Sequence, residues 1–158
     1  MLRVQVPGFY QVLEFFDESR VEIAATALGI AQGAFDRAID YSLEREQFGR
    51  PLAKFQVTQH KLADMATAIE YARLLTYKAA WNFDKGRIDP KLTSMAKYVA
   101  AKTAVQVADE AIQILGGYGY MTEYEVERYY RDAKIAEIYE GTKEIQKNTI
   151  AGQLIKER

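Results

Sequence analysis

The chain has 158 residues, with no cysteine, one histidine and three prolines, and each scarcity excludes a kind of chemistry. Without cysteine, the chain cannot form disulfides, thiolate zinc sites, iron–sulfur clusters or a cysteine nucleophile. With His60 as the one histidine, no site within one chain can use several imidazoles. A di-iron site in a helical bundle needs Glu-x-x-His pairs, and Val57 stands three positions before His60. We therefore interpret His60 as a surface or packing residue.

Charge and hydropathy exclude two classes of partner. Lys and Arg number 21 against 22 Asp and Glu, which gives a net charge of -1 and a pI of about 5.9. This balance argues against a nucleic-acid partner. No apolar run reaches the ~18 residues of a membrane span, so we expect no membrane partner. Hydrophobic residues at 49% and charged residues at 27% are typical of one globular domain.

Proline and glycine divide most of the chain into long segments of helix-forming residues. The first predicted helix runs from about residue 19 to 48, with Asp17 or Ser19 as its N-cap. The second runs from about 56 to 85. The third begins near Pro90, a favoured first-turn residue, and ends at the glycines that follow residue 115.

The C-terminal region is less regular. Thr122 and Glu125 match a capping box, which predicts a helix to about residue 134. Thr142 can cap a last helix to about residue 155, and no segment alternates with period two. The sequence therefore predicts an all-α, up-down four-helix bundle with a short extra C-terminal helix.

The residues alone give few indications of a catalytic site. The cluster from Gly116 to Gly119 follows a helix and lacks the third glycine of a dinucleotide fingerprint, so we interpret it as a helix end and turn. Glu137 and Glu140 have the ordinary spacing of a solvated helix face. Glu140, however, lies where apolar residues meet a helix break, and apolar surroundings favour a carboxyl group that acts as a general base. Six tyrosines near the C-terminus suit a cofactor pocket or an interface, although packing is the plainer interpretation for most: Tyr118, Tyr120, Tyr124, Tyr129, Tyr130 and Tyr139.

Several strings in the right order resemble the C-terminal α-domain of the acyl-CoA dehydrogenases. The resemblance covers about residues 8–155. The strings are Pro7-Gly8-Phe9 followed by Phe16-Asp17-Glu18-Ser19-Arg20, Arg45-Glu46-Gln47-Phe48-Gly49-Arg50-Pro51-Leu52 with Phe55-Gln56, Leu62-Ala63-Asp64-Met65, Gln113 to Gly119, Arg131-Asp132-Ala133-Lys134, and Tyr139-Glu140-Gly141-Thr142.

The resemblance implies a flavoprotein oxidoreductase of fatty acid metabolism. Its members oxidise an acyl-CoA thioester to the 2-enoyl-CoA with FAD, and electron-transferring flavoprotein accepts the electrons. Glu140 would remove the α-proton while the β-hydrogen leaves as hydride, and the backbone N–H of Glu140 would help to polarise the thioester carbonyl. Some members carry the base on the first helix of this domain instead. Ser19 stands at that position here and cannot act as a base.

The resemblance also implies which residues contact ligands. The family's FAD lies between subunits of a dimer of dimers. Arg45 would pair with the pyrophosphate, although from the residues alone a surface pair with Glu44 or Glu46 is the plainer interpretation. The other implied cofactor contacts are Phe48, Phe55, Gln56, Gln113, Ile114, Leu115, Gly116, Gly117, Thr142 and Glu144. The implied substrate contacts are Asp17, Arg20, Tyr139 and Gly141.

Two domains of the family, an N-terminal α-domain and a middle β-domain, have no counterpart in this sequence. We therefore expect residues 1–15 to be the end of a preceding domain or a linker, and residues 16–158 to be the helical domain. As an isolated fragment it would leave Glu140 largely exposed and show little or no turnover. The alternatives are a self-associating helical scaffold without a catalytic role and a relative of the acyl-CoA oxidases. A bacterial or archaeal cytoplasm is favoured over the mitochondrial matrix.

Overall fold

The computed structural model describes residues 8–158, and the predicted all-α fold is confirmed there. The helices are α1 (Gly8–Glu44), α2 (Gln56–Asp84), α3 (Pro90–Leu115), α4 (Val126–Ala136) and α5 (Lys143–Lys156). Pro7 and the other residues of the predicted linker up to residue 7 lie outside the described residues. The domain boundary between residues 15 and 16 stays a prediction.

The core is built around α3, which packs against each of the other four helices. Both α3 and α1, which are in contact, carry many fully buried alanines, and small side chains let two helices approach closely. These fully buried alanines recur every three or four positions, as a buried helical stripe requires. On α1 they are Ala24, Ala27, Ala31, Ala34 and Ala38, and on α3 they are Ala96, Ala100, Ala104, Ala108 and Ala111. The long α1–α3 contact therefore fixes both ends of α3 relative to α1.

The first helix differs from its prediction at both ends. It begins at Gly8, so the predicted N-caps Asp17 and Ser19 are wrong and both residues lie inside the helix. It ends at Glu44 because a short hairpin follows, in which β1 (Glu46–Gln47) pairs with β2 (Arg50–Pro51). Phe48 and Gly49 form its turn with φ of 53° and 77°, as a two-residue hairpin turn of the I′ type requires. Strands of two residues are too short to show an alternating pattern.

The other helix ends give mixed outcomes. The predicted capping box is wrong, because Glu125 has φ 60° and caps α4 without a side-chain bond; its carboxylate binds Arg37 at 2.9 Å and Arg128 at 3.1 Å instead. The predicted cap of α5 is confirmed, since Thr142 Oγ1 accepts from the N–H of Ile145 at 3.4 Å. Gly116 ends α3 with φ 62°.

No helix within residues 8–158 combines the length and the apolar character that crossing a bilayer requires. The same residues contain no cluster of three or more His, Asp or Glu side chains suited to a metal ion.

Candidate active site

The turn that joins α4 to α5, called here the acid turn (residues 137–142), has an unusual backbone. Glu140 has φ 53° and Gly141 has φ 90°, so two successive residues are left-handed. This conformation is uncommon for a residue with a side chain, and because it costs free energy it persists only where the surroundings impose it. At Gly141 a Cβ would stand 2.6 Å from Nε2 of Gln146, so glycine fits that position for two reasons.

The carboxylate of Glu140 faces α1. The Oγ of Ser19 donates to Oε2 of Glu140 at 2.8 Å, and Ser19 is itself buried. Glu140 is half-buried, so the expectation that it would be largely exposed is wrong, because α1 shelters it. The serine at the alternative base position is thus a hydrogen-bond donor to the predicted base.

Two buried side chains hold the backbone of the acid turn. Nζ of Lys97 donates to the carbonyl oxygen of Gly141 at 2.6 Å. Nε2 of Gln146 lies 3.1 Å from the carbonyl oxygen of Glu140 and 3.0 Å from that of Gly141. Both Lys97 and Gln146 are completely buried. The N–H of Lys143 closes the turn by donating to the carbonyl oxygen of Glu137 at 3.0 Å.

Lys97 and Gln146 are not among the site residues that the sequence predicts. A signal for Lys97 was present, because it lies on the buried stripe of α3, one position after the fully buried Ala96 and three before Ala100. A lysine at such a position is rarely buried unless it has a partner. Its partner is a backbone carbonyl 44 positions away, which no local pattern identifies.

Charges around the acid turn are unusually buried. Burial and the neighbouring charge of Arg20 lower the pKa of Lys97 to about 8, while Glu140 and Glu137 act in the opposite direction. Arg20, also buried, pairs with Asp17 and donates to Oγ of Ser94 at 3.4 Å. Nε of Arg20 and Oε1 of Gln146 are buried without a hydrogen-bond partner among residues 8–158.

Glu137 does not lie on a solvated face, so that interpretation is wrong. Its side chain is buried and binds Lys134 at 2.5 Å and Lys143 at 3.5 Å. Burial raises the pKa of Glu137, but the two lysines outweigh it and the net pKa is lowered. Glu137 is therefore held as a carboxylate that neutralises neighbouring lysines.

A cavity of about 460 Å³ lies at the opposite end of α3, against the end of α1 and the hairpin. Ligand pockets typically measure roughly 300–1,000 Å³. The guanidinium of Arg45 lies 5.6 Å from the ring centroid of Tyr118. Within residues 8–158, no ion pair joins Arg45 to Glu44 or Glu46. The lining residues are Tyr41, Arg45, Gln47, Leu52, Ile114, Leu115, Gly117, Tyr118 and Met121.

The hairpin presents aromatic surface beside this cavity. Phe48 is 93% exposed although its backbone is left-handed. Its ring lies 6.4 Å from that of Phe55, and Arg50 stacks over Phe55 at 4.1 Å from the ring centroid. Gln56 is exposed at the start of α2.

The predicted ligand contacts therefore fall at two separate ends. Lys97, beside the acid turn, and Ile114, beside the cavity, are about 25 Å apart along α3 at 1.5 Å per residue. The structure brings the implied substrate contacts, Thr142 and Glu144 to the acid-turn end. It brings the other implied cofactor contacts to the cavity end, where Gln113 and Gly116 are exposed. Within one chain these two sets do not meet.

Three of the six C-terminal tyrosines pack against other side chains. Tyr118 and Tyr124 have ring centroids 4.9 Å apart, and both lie within 6.5 Å of Tyr41. Tyr129 packs so closely over Gly33 that a Cβ there would stand 2.8 Å from its ring. Tyr120, by contrast, is 84% exposed beside the cavity end.

The family profile described as "Acyl-CoA dehydrogenase, C-terminal domain" matches residues 7–155. The chain belongs to this family. The chain is 52% identical over 149 residues to the human short-chain specific acyl-CoA dehydrogenase, mitochondrial. It is 49% identical, also over 149 residues, to 3-(aryl)acrylate reductase of Clostridium sporogenes.

The three-dimensional comparison agrees with this membership. The butyryl-CoA dehydrogenase structure from Megasphaera elsdenii superimposes with a TM-score of 0.93 at 49% identity, over 94% of this chain and 39% of that one. Both curated relatives match 94% of this chain, which spans 36% of the human protein and 40% of the clostridial one. The acyl-CoA dehydrogenase domain described here thus corresponds to less than half the length of these relatives.

Proposed function

We propose that this domain supplies the catalytic base of an FAD-dependent acyl-CoA dehydrogenase, and that the base is Glu140. The observation that supports this most is the geometry of the acid turn. A half-buried carboxylate accepts from Ser19, and its strained backbone is held by Lys97 and Gln146. Strained, well-anchored backbone is found preferentially at active sites. Family membership supports the proposed reaction class.

In the proposed reaction Glu140 accepts the α-proton of the thioester. The proton becomes acidic enough when a hydrogen-bond donor polarises the thioester carbonyl. Within residues 8–158, the backbone N–H groups of Glu140 and Gly141 donate to no other residue, so they are available for this oxygen. Asp17, Arg20 and Tyr139 border the same end of the bundle and are proposed substrate contacts.

The cavity end fits the adenosine and pyrophosphate part of FAD. Arg45 offers a guanidinium that no carboxylate among the described residues occupies, and a guanidinium matches phosphate oxygens geometrically. Gly117 lets a ligand approach the backbone, and Tyr118 offers a ring for stacking. Phe48, Phe55, Gln56 and the residues from Gln113 to Gly116 would surround it. Bound FAD would supply the hydride acceptor for the β-hydrogen.

The separation of the two ends supports an assembly of several subunits. Thr142 in the acid turn and Glu144 in the first turn of α5 would then contact one FAD, while Arg45 and Phe48 would contact the FAD of a neighbouring subunit. We propose a dimer of dimers, with an acyl-CoA as the substrate and electron-transferring flavoprotein as the electron acceptor. A cytoplasmic location stays a prediction, since the relatives include a clostridial protein and a mitochondrial one.

The Glu140→Gln substitution in the FAD-loaded protein that carries this chain tests the proposal. With butyryl-CoA in deuterated buffer, we expect the rate of α-proton exchange to fall by about 10³-fold, because general bases contribute roughly 10²–10⁴-fold. FAD affinity should not change. Glu22→Gln, at an exposed position of α1, is the matched control. Near-normal exchange in Glu140→Gln would favour the non-catalytic scaffold or a base elsewhere.

The reductase named among the relatives favours a second candidate, reduction of a 2-enoyl substrate. In that direction Glu140 would give its proton to the α-carbon while hydride reaches the β-carbon. Comparing initial rates with an acyl substrate and its enoyl counterpart, each with a suitable electron partner, distinguishes the two. Faster reduction than oxidation would favour the second candidate, and Glu140→Gln should slow both.

A further inference from the structure

We propose that Lys97 and Gln146 are positioning residues, which set the place of Glu140 by anchoring two successive carbonyl oxygens of the acid turn. For the role of Glu140 this inference rests on the proposed function. The anchoring itself is a separate statement about the backbone. It can be tested without any substrate or cofactor.

The anchors are arranged to fix two peptide planes. Nζ of Lys97 and Nε2 of Gln146 both reach the carbonyl oxygen of Gly141, at 2.6 and 3.0 Å, so both of its lone pairs are used. Gln146 also reaches the carbonyl oxygen of Glu140 at 3.1 Å. A peptide unit is planar and its C=O points opposite to the next N–H. Holding these oxygens therefore orients the planes on both sides of Gly141.

The conformation of the turn explains why anchors are needed. Glu140 is left-handed at φ 53°, which for a residue with a side chain persists where the surroundings impose it. On the carboxylate side, Ser19 provides one hydrogen bond. On the backbone side, the restraint comes from α3 through Lys97 and from α5 through Gln146. The base is thus held from three helices at once.

The buried ammonium of Lys97 is not expected to stabilise the fold by itself. Lys97 is completely buried, and no carboxylate among residues 8–158 lies within ion-pair distance of it. A buried charge that lacks a paired opposite charge is costly, and methionine would fill the same space. The charged groups facing it are Arg20 from α1 and Glu137 and Glu140 from the acid turn. What the ammonium contributes is its bond to Gly141.

Amide hydrogen exchange of this chain tests the anchoring directly. The reporter is the N–H of Lys143, which closes the turn on Glu137. In Lys97→Met we expect its exchange to accelerate at least tenfold, while amides in the middle of α3 exchange as before. Lys102→Met, the same change at an exposed position of α3, should leave the reporter unchanged. An unchanged Lys143 amide in a folded Lys97→Met protein overturns the inference.

Gln146→Met gives an independent measurement if Lys97→Met does not fold. The same Lys143 amide should again accelerate at least tenfold, with Gln153→Met on α5 as its control. No acceleration in Gln146→Met, or equal acceleration in the control, overturns the inference.

A kinetic measurement on the FAD-loaded protein carries the inference to the reaction. We expect Lys97→Met to lower the maximal rate of α-proton exchange at least tenfold, with the half-saturating thioester concentration within twofold of wild type. A normal maximal rate in Lys97→Met, with Glu140→Gln inactive, would overturn the role in positioning the base. If Glu140→Gln is itself active, the proposed function fails, and the amide-exchange result alone decides whether the turn is anchored.

Discussion

The two ends of α3 use polar and aromatic side chains in opposite ways. At the acid-turn end, Lys97 and Gln146 are completely buried and bonded to the backbone. At the cavity end, Phe48 is 93% exposed, and no described carboxylate pairs with Arg45. The first end is preorganised by residues of one chain. The second presents exposed aromatic surface, which often marks an interaction site.

The largest effect is expected from the buried charge at the acid-turn end. We predict that burying the ammonium of Lys97 lowers the free energy of unfolding. The pKa of Lys97 is about 8 in the folded chain and about 10.4 when unfolded. Between these values the unfolded chain binds a proton that the folded chain lacks, so the free energy of unfolding rises with pH. The cost of burying the ammonium is present below pH 8. It is relieved by up to about 3 kcal/mol on going to pH 10.5.

The measurement is urea unfolding of wild type and Lys97→Met between pH 7.5 and 10.5. The free energy of unfolding of wild type should rise relative to that of the variant across this window, because only wild type has Lys97. Arg20, Glu137 and Glu140 are present in both proteins, so their contributions should largely cancel. Lys102→Met retains Lys97, so the difference in stability between wild type and Lys102→Met should not change with pH. Parallel pH curves for wild type and Lys97→Met would mean that the lysine is charged in the fold at little cost, and the contrast between the two ends would weaken.

The second prediction concerns the backbone beneath the cavity. We expect it to be tightly packed although the surface above it is open. A Cβ on Gly119 would stand 2.7 Å from the carbonyl oxygen of Ile112 and 3.0 Å from Cβ of Leu115. We expect Gly119→Ala to lower the free energy of unfolding by about 2 kcal/mol, since overpacking typically costs roughly 1–3 kcal/mol. Gly117→Ala, with nothing within 4 Å, should have a much smaller effect. Equal effects in urea denaturation would contradict rigid packing under the cavity.

The helices could be predicted because their buried stripes and stop signals are local. Pro90 and Gly116 lie where proline and glycine favour helix ends. The start of α1 was misplaced because polar Asp17 and Ser19 suggested a cap, whereas both side chains serve contacts inside a continuous helix. Similarly, Glu125 does not cap α4 because two arginines bind its carboxylate.

The site could be predicted less completely, and the reason is sequence separation. The local context of Glu140 and the family resemblance predict this residue as the base, and that role stays a prediction. Its contact with Ser19 joins residues 121 positions apart, and that of Lys97 with Gly141 spans 44. No spacing rule connects such positions. Only the packing of α1 and α3 brings them together.

A third prediction asks whether the cavity end selects a ligand or merely attracts anions. ADP, which carries adenosine and pyrophosphate, is the probe. For Arg45→Met in the protein that carries this chain, we expect the Kd of ADP to rise about tenfold, as loss of a charge-assisted hydrogen bond predicts. Arg50→Met removes the same charge from the hairpin but does not line the cavity, so its effect should be smaller. Equal losses by isothermal titration would indicate general attraction of anions.

The smallest effect is expected at the N-cap of α3, and it distinguishes the stability of the helix start from the anchoring by Lys97. Oδ1 of Asp89 accepts from the N–H groups of Lys91 at 2.9 Å and Leu92 at 3.2 Å. Loss of such an N-cap costs about 1 kcal/mol, so thermal unfolding should show Asp89→Ala destabilised by that amount and Asp89→Asn nearly unchanged.

The exchange rate of the Lys143 amide in Asp89→Ala shows whether loss of this N-cap also affects the acid turn. Lys97 lies about two turns beyond the cap, so fraying of the first turn of α3 should leave its bond to Gly141 intact. We therefore expect the exchange rate of the Lys143 amide in Asp89→Ala to stay within about twofold of wild type, far below the rise expected for Lys97→Met. A comparable rise in both variants would show that the acid turn depends on the whole start of α3. If Lys97 is a specific anchor, the exchange rate should respond to loss of its ammonium and not to fraying two turns away.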